Sequence, residues 1–374
     1  MIMRCLFCLP AFVLALLAFA MPARADALNV GLVIPQSGQF KLLGDHVREA
    51  FGIWDTANPG ALADIVEGDD DCTPESGINA AAAMIEAGVD IVVGFVCTES
   101  LAAALPMLSD DNIPVITLTV RADIIGEEAS RLGWKFYRLA PRASSEAEIA
   151  AEAIMRFWAD KPFALIEDGA ISGRELVEAI RIRLEARSLK PAFVDNYRPG
   201  QATQPSLVRR LKAAGVTRVF VGGERPDLAV IAQEARHQKV EFQFMGGDTL
   251  HAPVGDAPLP DGTIAVLSAG AVPGADDERA RQAFADHGLI AEGLRIPAYA
   301  AAEIVGAAAN RLGYGETDLE HLLAGNTFDT ALGPVTFDGN GERREPGFVL
   351  AIQQNGTFNR LSVEDAARLS GQTQ

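Results

Sequence analysis

The chain alternates between short apolar runs rich in β-branched residues and longer Ala-rich segments with helical character. In a first series, the apolar runs lie at 28–35, 90–96 and 113–120, and the helical segments lie at 44–56, 75–88 and 99–110. A second series starts with a helix at 144–160 and ends with a strand at 262–270. Short buried runs that alternate with helices are typical of parallel strands covered on both faces. The two series therefore predict an α/β protein with two doubly wound parallel-sheet lobes.

The last third of the chain continues these lobes and does not begin a third domain. It contains helices near 276–286 and 296–313, followed by short strands with Asn-Gly hairpin turns at 340–341 and 355–356. Pro- and Gly-rich junctions near residues 140, 270 and 333 indicate three crossings between the lobes. We predict a three-segment hinge below a cleft, with the chain divided into lobe 1 (26–140 plus 271–332) and lobe 2 (141–270 plus 333–374).

The N-terminus has the layout of a secretory signal peptide over residues 1–25. A basic start at Arg4 precedes an apolar run, and an A-x-A sequence stands just before Asp26. A retained membrane anchor is the alternative, but the apolar run is short for a span of about 20 residues. No later stretch is long and apolar enough to span a bilayer, so we expect no direct membrane insertion. The prediction is an exported, periplasmic protein.

The charge balance limits the partners. Removing residues 1–25 takes away Arg4 and Arg24 and leaves 30 basic and 50 acidic residues, a formal charge of −20. Such a charge favours solubility and argues against nucleic acid or an anionic membrane as a partner.

Cys72 and Cys97 are the only cysteines outside the first eight residues. In an oxidising compartment an isolated even pair is typical of a disulfide. No C-x-x-C redox motif is present and the five histidines have no ligand spacing, so we predict no metal site and no cofactor. We expect the bridge to be structural and to join the ends of two neighbouring strands.

Candidate ligand groups follow the predicted strands, because ligands of open α/β sheets bind beyond the carboxyl ends of the strands. They are Ser37, Thr98, Ser100, Thr119 and Arg121 in lobe 1, and Asp168, Glu224 and Asp248 in lobe 2. Thr98 and Ser100 enter a helix, where hydroxyls and free N–H groups hold oxyanions, although Ser100 is equally well explained as a helix cap.

Two of these charged residues each have two explanations. Arg121 either binds a ligand carboxylate through two parallel hydrogen bonds or pairs with a nearby acid, Asp123 or Glu99. Asp248 either accepts an ammonium group or caps a turn. The sequence leaves both choices open.

A series of motifs runs along the mature chain. In order, it contains "NVGLVIPQSG" followed by "GD", "DDDC" with a second Cys 25 residues on in "VGFVC", then "IPVIT", "FVGG", "QFMGGD" and "TALGPVTFDGNG". In these motifs, and over essentially the whole mature chain, the protein resembles the periplasmic leucine/isoleucine/valine-binding proteins, which are substrate-binding subunits of ABC importers with the type I periplasmic-binding fold.

The resemblance implies roles for three residues and a place for the disulfide. Thr98 corresponds to a Ser that grips the α-carboxylate of the ligand, and the Thr119 carbonyl corresponds to one that receives the ammonium. Asp248 replaces an ammonium-binding Glu. The disulfide of the family lies beside the ligand site and would hold the Thr98 loop.

The chain also departs from the family pattern. Arg121 stands where a Thr normally contacts both ends of the amino acid. Pocket aromatics correspond to Leu43, Ser172 and Glu224, and Tyr299 is expected in the core.

A buried Glu224 against an aliphatic side chain would be an unpaired charge that costs several kcal/mol. Arg121 either neutralises Glu224 or Asp248, which leaves a small polar ligand such as an amide, a urea or a polar amino acid, or it binds the carboxylate of an acid that lacks an amino group. The sequence does not choose between these two ligand classes.

The prediction from sequence is a non-enzymatic, monomeric solute-binding subunit of an ABC importer. A small polar solute (an amino acid, an amide or a carboxylic acid) docks on one lobe, the other lobe closes, and a membrane permease recognises the closed form. The alternative is an exported sensor of the same fold that signals to a receptor or regulator. A hydrolase is disfavoured because no G-x-S-x-G motif is present.

Overall fold

A computed structural model describes residues 27–252, 258–313 and 318–371, so the predicted signal peptide lies outside the described residues. The strands are β1 (Leu28–Ile34), β2 (Leu62–Asp69), β3 (Ile91–Gly94), β4 (Val115–Thr117), β5 (Phe136–Arg138), β6 (Phe163–Glu167), β7 (Phe193–Asn196), β8 (Arg218–Gly222), β9 (Gln243–Gly246), β10 (Ile264–Ser268), β11 (Thr327–Thr330), β12 (Gly333–Thr336), β13 (Phe348–Gln354) and β14 (Thr357–Arg360). The helices are α1 (Lys41–Ala57), α2 (Pro74–Ala87), α3 (Thr98–Asp110), α4 (Asp123–Leu132), α5 (Ala143–Trp158), α6 (Ile171–Ala186), α7 (Pro205–Ala213), α8 (Arg225–His237), α9 (Glu278–Asp286), α10 (Arg295–Gly313), α11 (Leu319–Gly325) and α12 (Val363–Leu369).

The first lobe is built on a parallel five-stranded sheet in the order β2-β1-β3-β4-β5. Its strand β1 is apolar on both faces because helices cover both. Leu32 and Ile34 face a core shared with α1 and α10, whereas Val33 faces a core shared with α2 and α3. This double burial is the physical basis of the near-continuous apolar runs in the sequence.

The second lobe is built on a seven-stranded sheet in the order β14-β13-β10-β9-β8-β6-β7. Strands β6 to β10 are parallel, which confirms the predicted doubly wound arrangement. The tail adds β13 and β14 as an antiparallel edge, with a hairpin turn at Asn355-Gly356 where both residues have positive φ. The second sheet is therefore mixed rather than wholly parallel.

The prediction omitted the edge strand β2. It pairs with β1 at the edge of the first sheet and carries exposed Asp64 and Glu67 in place of an apolar run. Charged side chains are common on edge strands, where they prevent pairing with other chains. The short β5, with α4 before it, was also missed.

The chain returns to the first lobe after β10. Phe284 and Tyr299 pack into the same core as β1, so Tyr299 is a core residue as expected. The β11–β12 hairpin also lies there, and the ring of Phe337 contacts that of Tyr137 at 5.3 Å between centroids. Residues 333–337, which the predicted division placed in lobe 2, thus pack with lobe 1 because the hairpin holds β12 against β11. The other lobe boundaries stay predictions.

In the part of the chain that the structure describes, no helix combines the length and the apolar character that crossing a membrane requires.

Candidate ligand-binding site

The loops after the central strands of lobe 1 lie side by side. Thr98 is the first residue of α3, directly after the loop that follows β3, and is half-buried. The Thr119 hydroxyl, in the loop after β4, donates to the carbonyl of Val96 at 2.9 Å. This bond joins the two loops and brings Thr98 and Thr119 to the same edge of the sheet.

Cys72 and Cys97 form the predicted disulfide. The strands that precede them, β2 and β3, are not neighbours, because β1 lies between them. The bridge instead joins the loops that lead into two packed helices, α2 and α3. The expectation that it pins neighbouring strands was wrong on this point, and its position beside the start of α3 agrees with support of the Thr98 loop.

Ser100 belongs to the support of this loop. It is fully buried, and its hydroxyl donates to Asp70 at 2.8 Å. Asp70 also accepts from the backbone N–H of Cys72 at 3.0 Å and from the Ser76 hydroxyl at 2.9 Å. The cap of α3 is Cys97, so Ser100 is neither the helix cap nor an open ligand group.

Arg121 is the centre of a charged cluster between the lobes. Its Nη1 lies 3.1 Å from Oδ2 of Asp248, and its Nη2 lies 2.9 Å from Oε2 of Glu146. Its guanidinium carbon lies 4.8 Å from the centroid of the Phe348 ring. Arg121 thus pairs with Asp248, one of the partners considered for it from the sequence, and with Glu146, which was not considered. It pairs with neither Asp123 nor Glu99.

The two acids are fixed by further hydrogen bonds. Oδ1 of Asp248 accepts from the Ser268 backbone N–H at 2.8 Å, and Oδ2 accepts from the Ser268 hydroxyl at 2.7 Å. Oε1 of Glu146 accepts from the Asp248 backbone N–H at 2.8 Å. Burial raises the pKa of the Glu146 carboxyl, and the Asp248 N–H and Arg121 oppose that rise. Asp248 therefore does more than cap a turn.

The cluster lies where all three crossings meet. Glu146 is in the first turn of α5, just after the first crossing, and Ser268 is the last residue of β10, just before the second. Phe348 begins β13, just after the third. Because Arg121 follows β4 of lobe 1, its side chain connects that lobe with Glu146 and Asp248 of lobe 2.

A second arginine fixes the backbone on either side of Arg121. Arg138 is fully buried and donates through Nη1 to the carbonyls of Val120 at 3.2 Å and Ala122 at 2.9 Å. Its Nη2 lies 3.0 Å from Oε1 of Glu342, in the turn before the third crossing. These hydrogen bonds of Arg138 fix the backbone on both sides of Arg121.

The remaining predicted residues, Ser37, Leu43, Ser172 and Glu224, lie outside this cluster. Leu43 and Ser172 occupy equivalent positions in α1 and α6, each just before a glycine that packs tightly on the preceding loop. A Cβ on Gly44 would lie 2.0 Å from the Pro35 carbonyl oxygen, and one on Gly173 would lie 2.4 Å from Oδ1 of Asp168, in the loop before α6.

Leu43 is half-buried, whereas Ser172, Glu224 and Ser37 are exposed. Among the described residues, no hydrogen bond or ion pair connects the side chains of these residues with Arg121. The structure therefore brings Arg121 and Asp248 together and leaves Ser37, Leu43, Ser172 and Glu224 apart from them.

Three residues of the cluster were not predicted: Glu146, Ser268 and Phe348. Glu146 and Ser268 lie within about six residues of the predicted crossings near 140 and 270, whereas Phe348 lies 15 residues after the one predicted near 333. Their position next to the hinge was the only signal in the sequence, and it did not identify their partners.

Two doubly wound sheets joined by three crossings, with polar groups at the strand ends, define the class of two-lobed solute-binding proteins. The chain belongs to the periplasmic binding protein family, which matches residues 27–357. The family consists of solute-binding proteins rather than enzymes. The resemblance inferred from the motifs is thus confirmed.

Known relatives cover nearly the whole chain. A Leu/Ile/Val-binding protein of Rhizobium johnstonii is 28% identical over 355 residues, which cover 91% of this chain and 95% of that protein. A crystal structure from Rhodospirillum rubrum, described as a branched-chain amino acid ABC transporter, matches with a TM-score of 0.77 at 18% identity and covers 89% of this chain and 99% of that one. An ABC transporter solute-binding protein of R. palustris in complex with benzoate gives a TM-score of 0.64 at 17% identity, covering 90% and 96%. These two structures establish the shared fold.

Proposed function

We propose that this protein is the periplasmic solute-binding subunit of an ABC importer and captures a small polar solute by closing its two lobes. The observation that carries the proposal is the cluster of Arg121 with Glu146 and Asp248, which joins both lobes at the floor of the cleft. The relative from Rhizobium johnstonii, named for binding leucine, isoleucine and valine, supports a small organic solute.

Binding begins on lobe 1 in this proposal. The solute meets Thr98 and Thr119 beside the cation of Arg121, and the wall formed by Ser172 and Glu224 then closes over it. Closure presents a joint surface of both lobes to a membrane permease. The protein acts as a monomer, after export and removal of residues 1–25.

The test combines a thermal-shift screen with small-angle X-ray scattering. The screen uses amino acids, amides and carboxylic acids, since a ligand at 100 times its dissociation constant adds about 2.7 kcal/mol to stability. For each compound that stabilises the mature protein, we expect the radius of gyration to fall on binding. An unchanged radius, with binding shown independently by calorimetry, would refute closure.

A further inference from the structure

We infer that the solute carries a cationic side group, such as a guanidinium or a terminal ammonium, which lobe 2 receives at the carboxyl ends of β6 and β8. The inference rests on the proposed function and names the substrate class of the same site. Its basis is a pair of buried acids, Asp168 and Asp227, for which the described residues provide no cation. The buried hydroxyl of Tyr197, which lacks a partner among the described residues, lies beside them.

Three neighbouring strands of lobe 2 bring these residues together. Asp168 directly follows β6, and its backbone N–H donates to the carbonyl of Gly222, the last residue of β8, at 3.2 Å. Tyr197 directly follows β7, and its N–H donates to the Glu167 carbonyl at 2.9 Å. A Cβ on Gly223 would lie 2.0 Å from the Tyr197 hydroxyl oxygen and 3.1 Å from Cβ of Asp168. The Tyr197 side chain thus extends from the end of β7 past β6 to the end of β8.

The two acids of the pair are close enough to repel each other. Oδ1 of Asp168 accepts from the Ala170 N–H at 2.9 Å, and Oδ1 of Asp227 accepts from the Gly200 N–H at 2.8 Å. Burial raises the pKa of the Asp227 carboxyl, the Gly200 N–H opposes that rise, and the charge of Asp168 adds to it. Buried charges are normally paired, so this pair lacks a counter-charge.

No cation of the described residues neutralises the buried pair, since the ion pairs of lobe 2 involve other acids. Arg174 is exposed, and its guanidinium donates to a backbone carbonyl at 3.0 Å. The guanidinium carbon of Arg225 lies 5.7 Å from the ring centroid of Phe358, in the strand at the opposite edge of the sheet from β7. The segments 253–257 and 314–317 contain neither Lys nor Arg. The missing cation is therefore a group that the solute brings.

Tyr197 provides an independent observation. Its side chain is only 5% exposed, and its hydroxyl has no hydrogen-bond partner among the described residues, which is costly for a buried polar group. Burial raises the pKa of this hydroxyl, and the charges of Asp227, Asp168, Glu224 and Glu167 add to the rise. The hydroxyl therefore lies among four acids. An N–H donor of a cationic group would give the hydroxyl a partner and the acids a counter-charge.

The surroundings of the buried pair favour a small organic cation. Residues 169–172, directly after Asp168, are exposed, and Glu224 adds an exposed acid at the start of α8. The cluster of Arg121, at the same edge of the sheet, contains two carboxylates and one cation, so it also carries an excess of negative charge. Among the described residues, no group of three His, Cys, Asp or Glu side chains could hold a metal ion. A cation with N–H donors fits these acids better than a metal ion does.

The test compares compounds that differ only in the cationic side group. Isothermal titration calorimetry on the mature protein would use arginine against citrulline, lysine against 6-hydroxynorleucine, and putrescine against 1,4-butanediol. We expect the cationic compound to bind at least roughly 10-fold more tightly within at least one pair. Potassium chloride at the same concentrations tests for an inorganic cation and should give no binding heat. This comparison uses the wild-type protein and does not depend on the folding of a variant.

Two variants separate the charge of the acids from their shape. Asp168→Asn keeps an acceptor for the Ala170 N–H but removes the charge, so affinity for the cationic compound should fall at least about 10-fold while its neutral counterpart is unaffected. Glu224→Gln should cost only about 2- to 5-fold, because this acid is exposed. The control is Glu241→Gln, which removes an exposed acid just before β9, at the opposite edge of the sheet, and should leave both affinities unchanged.

The outcomes distinguish the two proposals. If a neutral solute of the wider screen binds and closes the lobes, and no cationic compound exceeds its neutral counterpart, the inference is wrong and the proposed function stands. The inference is also wrong if potassium chloride binds as well as the cationic compounds, or if Asp168→Asn lowers affinity no more than Glu241→Gln does. If no compound of either screen binds, the proposed function fails and the inference fails with it.

Discussion

Replacing Arg138 with Met tests how the hinge is held together. Arg138 is fully buried, and its guanidinium lies 3.0 Å from the carboxylate of Glu342, which is 204 positions later in the sequence. It also donates hydrogen bonds to two backbone carbonyls. Removing one partner of a buried ion pair costs about 3–5 kcal/mol, because the other charge is left uncompensated. Hydrogen bonds to a charged group contribute about 1.5–3 kcal/mol each, but these losses are not additive. We expect a loss of about 3–5 kcal/mol in the free energy of unfolding.

The cost should depend on pH in a defined direction. Burial raises the pKa of Glu342, and Arg138 opposes that rise. Without Arg138, the pKa of the Glu342 carboxyl in the folded variant rises further. At a pH between this pKa and the value of about 4.3 in the unfolded chain, the folded variant keeps a proton on Glu342 that the unfolded chain has lost. A folded state that binds more protons loses stability as the pH rises toward its own pKa. The variant should therefore lose less stability at about pH 5 than at about pH 8.

Urea unfolding of the mature protein at both pH values measures these quantities. The double variant Arg138→Met/Glu342→Gln removes the titrating group, so it should recover part of the loss and abolish its pH dependence. Arg131→Met, an exposed arginine in α4, is the matched control and should change stability by less than about 0.5 kcal/mol. A loss below about 1 kcal/mol for Arg138→Met, or an equal loss at both pH values, would contradict this account of the ion pair.

Two further predictions concern the support of the Thr98 loop. Reducing the Cys72–Cys97 bridge, whose cysteines are 25 positions apart, should lower the free energy of unfolding by about 3–4 kcal/mol in urea titrations with and without dithiothreitol. A Cys72→Ala/Cys97→Ala variant should be insensitive to the reductant, and an equal response from it would exclude the bridge as the cause. Ser100→Ala leaves the buried Asp70 with one hydrogen bond fewer and should cost about 1–3 kcal/mol in the same assay. Wild-type stability in Ser100→Ala would mean that Asp70 finds another partner.

The sequence predicted those strands whose burial is reflected in their own apolar composition. Strand β1 is buried on both faces, and its sequence is correspondingly apolar. Strand β2 is an edge strand with several exposed positions, and its acidic residues give the segment a composition typical of a loop. The antiparallel β13 was predicted as a strand, but its pairing with β10 depends on where the tail returns.

The predictable part of the site was limited in a similar way. Arg121 and Asp248 were found because each follows a strand, yet their contact spans 127 positions. The roles of Glu146 and Phe348 depend on three crossings that meet at one place, which no local pattern encodes. The pairing of Arg138 with Glu342 is equally non-local.

The order in which the two lobes are completed follows from the path of the chain. The core of lobe 1 includes Phe284, Ile304 and Phe337, all of which are synthesised after the parallel strands of lobe 2. Lobe 2 in turn lacks β13 and β14 until nearly the whole chain exists. Neither lobe can therefore acquire its complete core while the C-terminal third is missing. Such non-local contacts slow folding, so the chain remains unfolded longer than one whose lobes are each continuous in sequence.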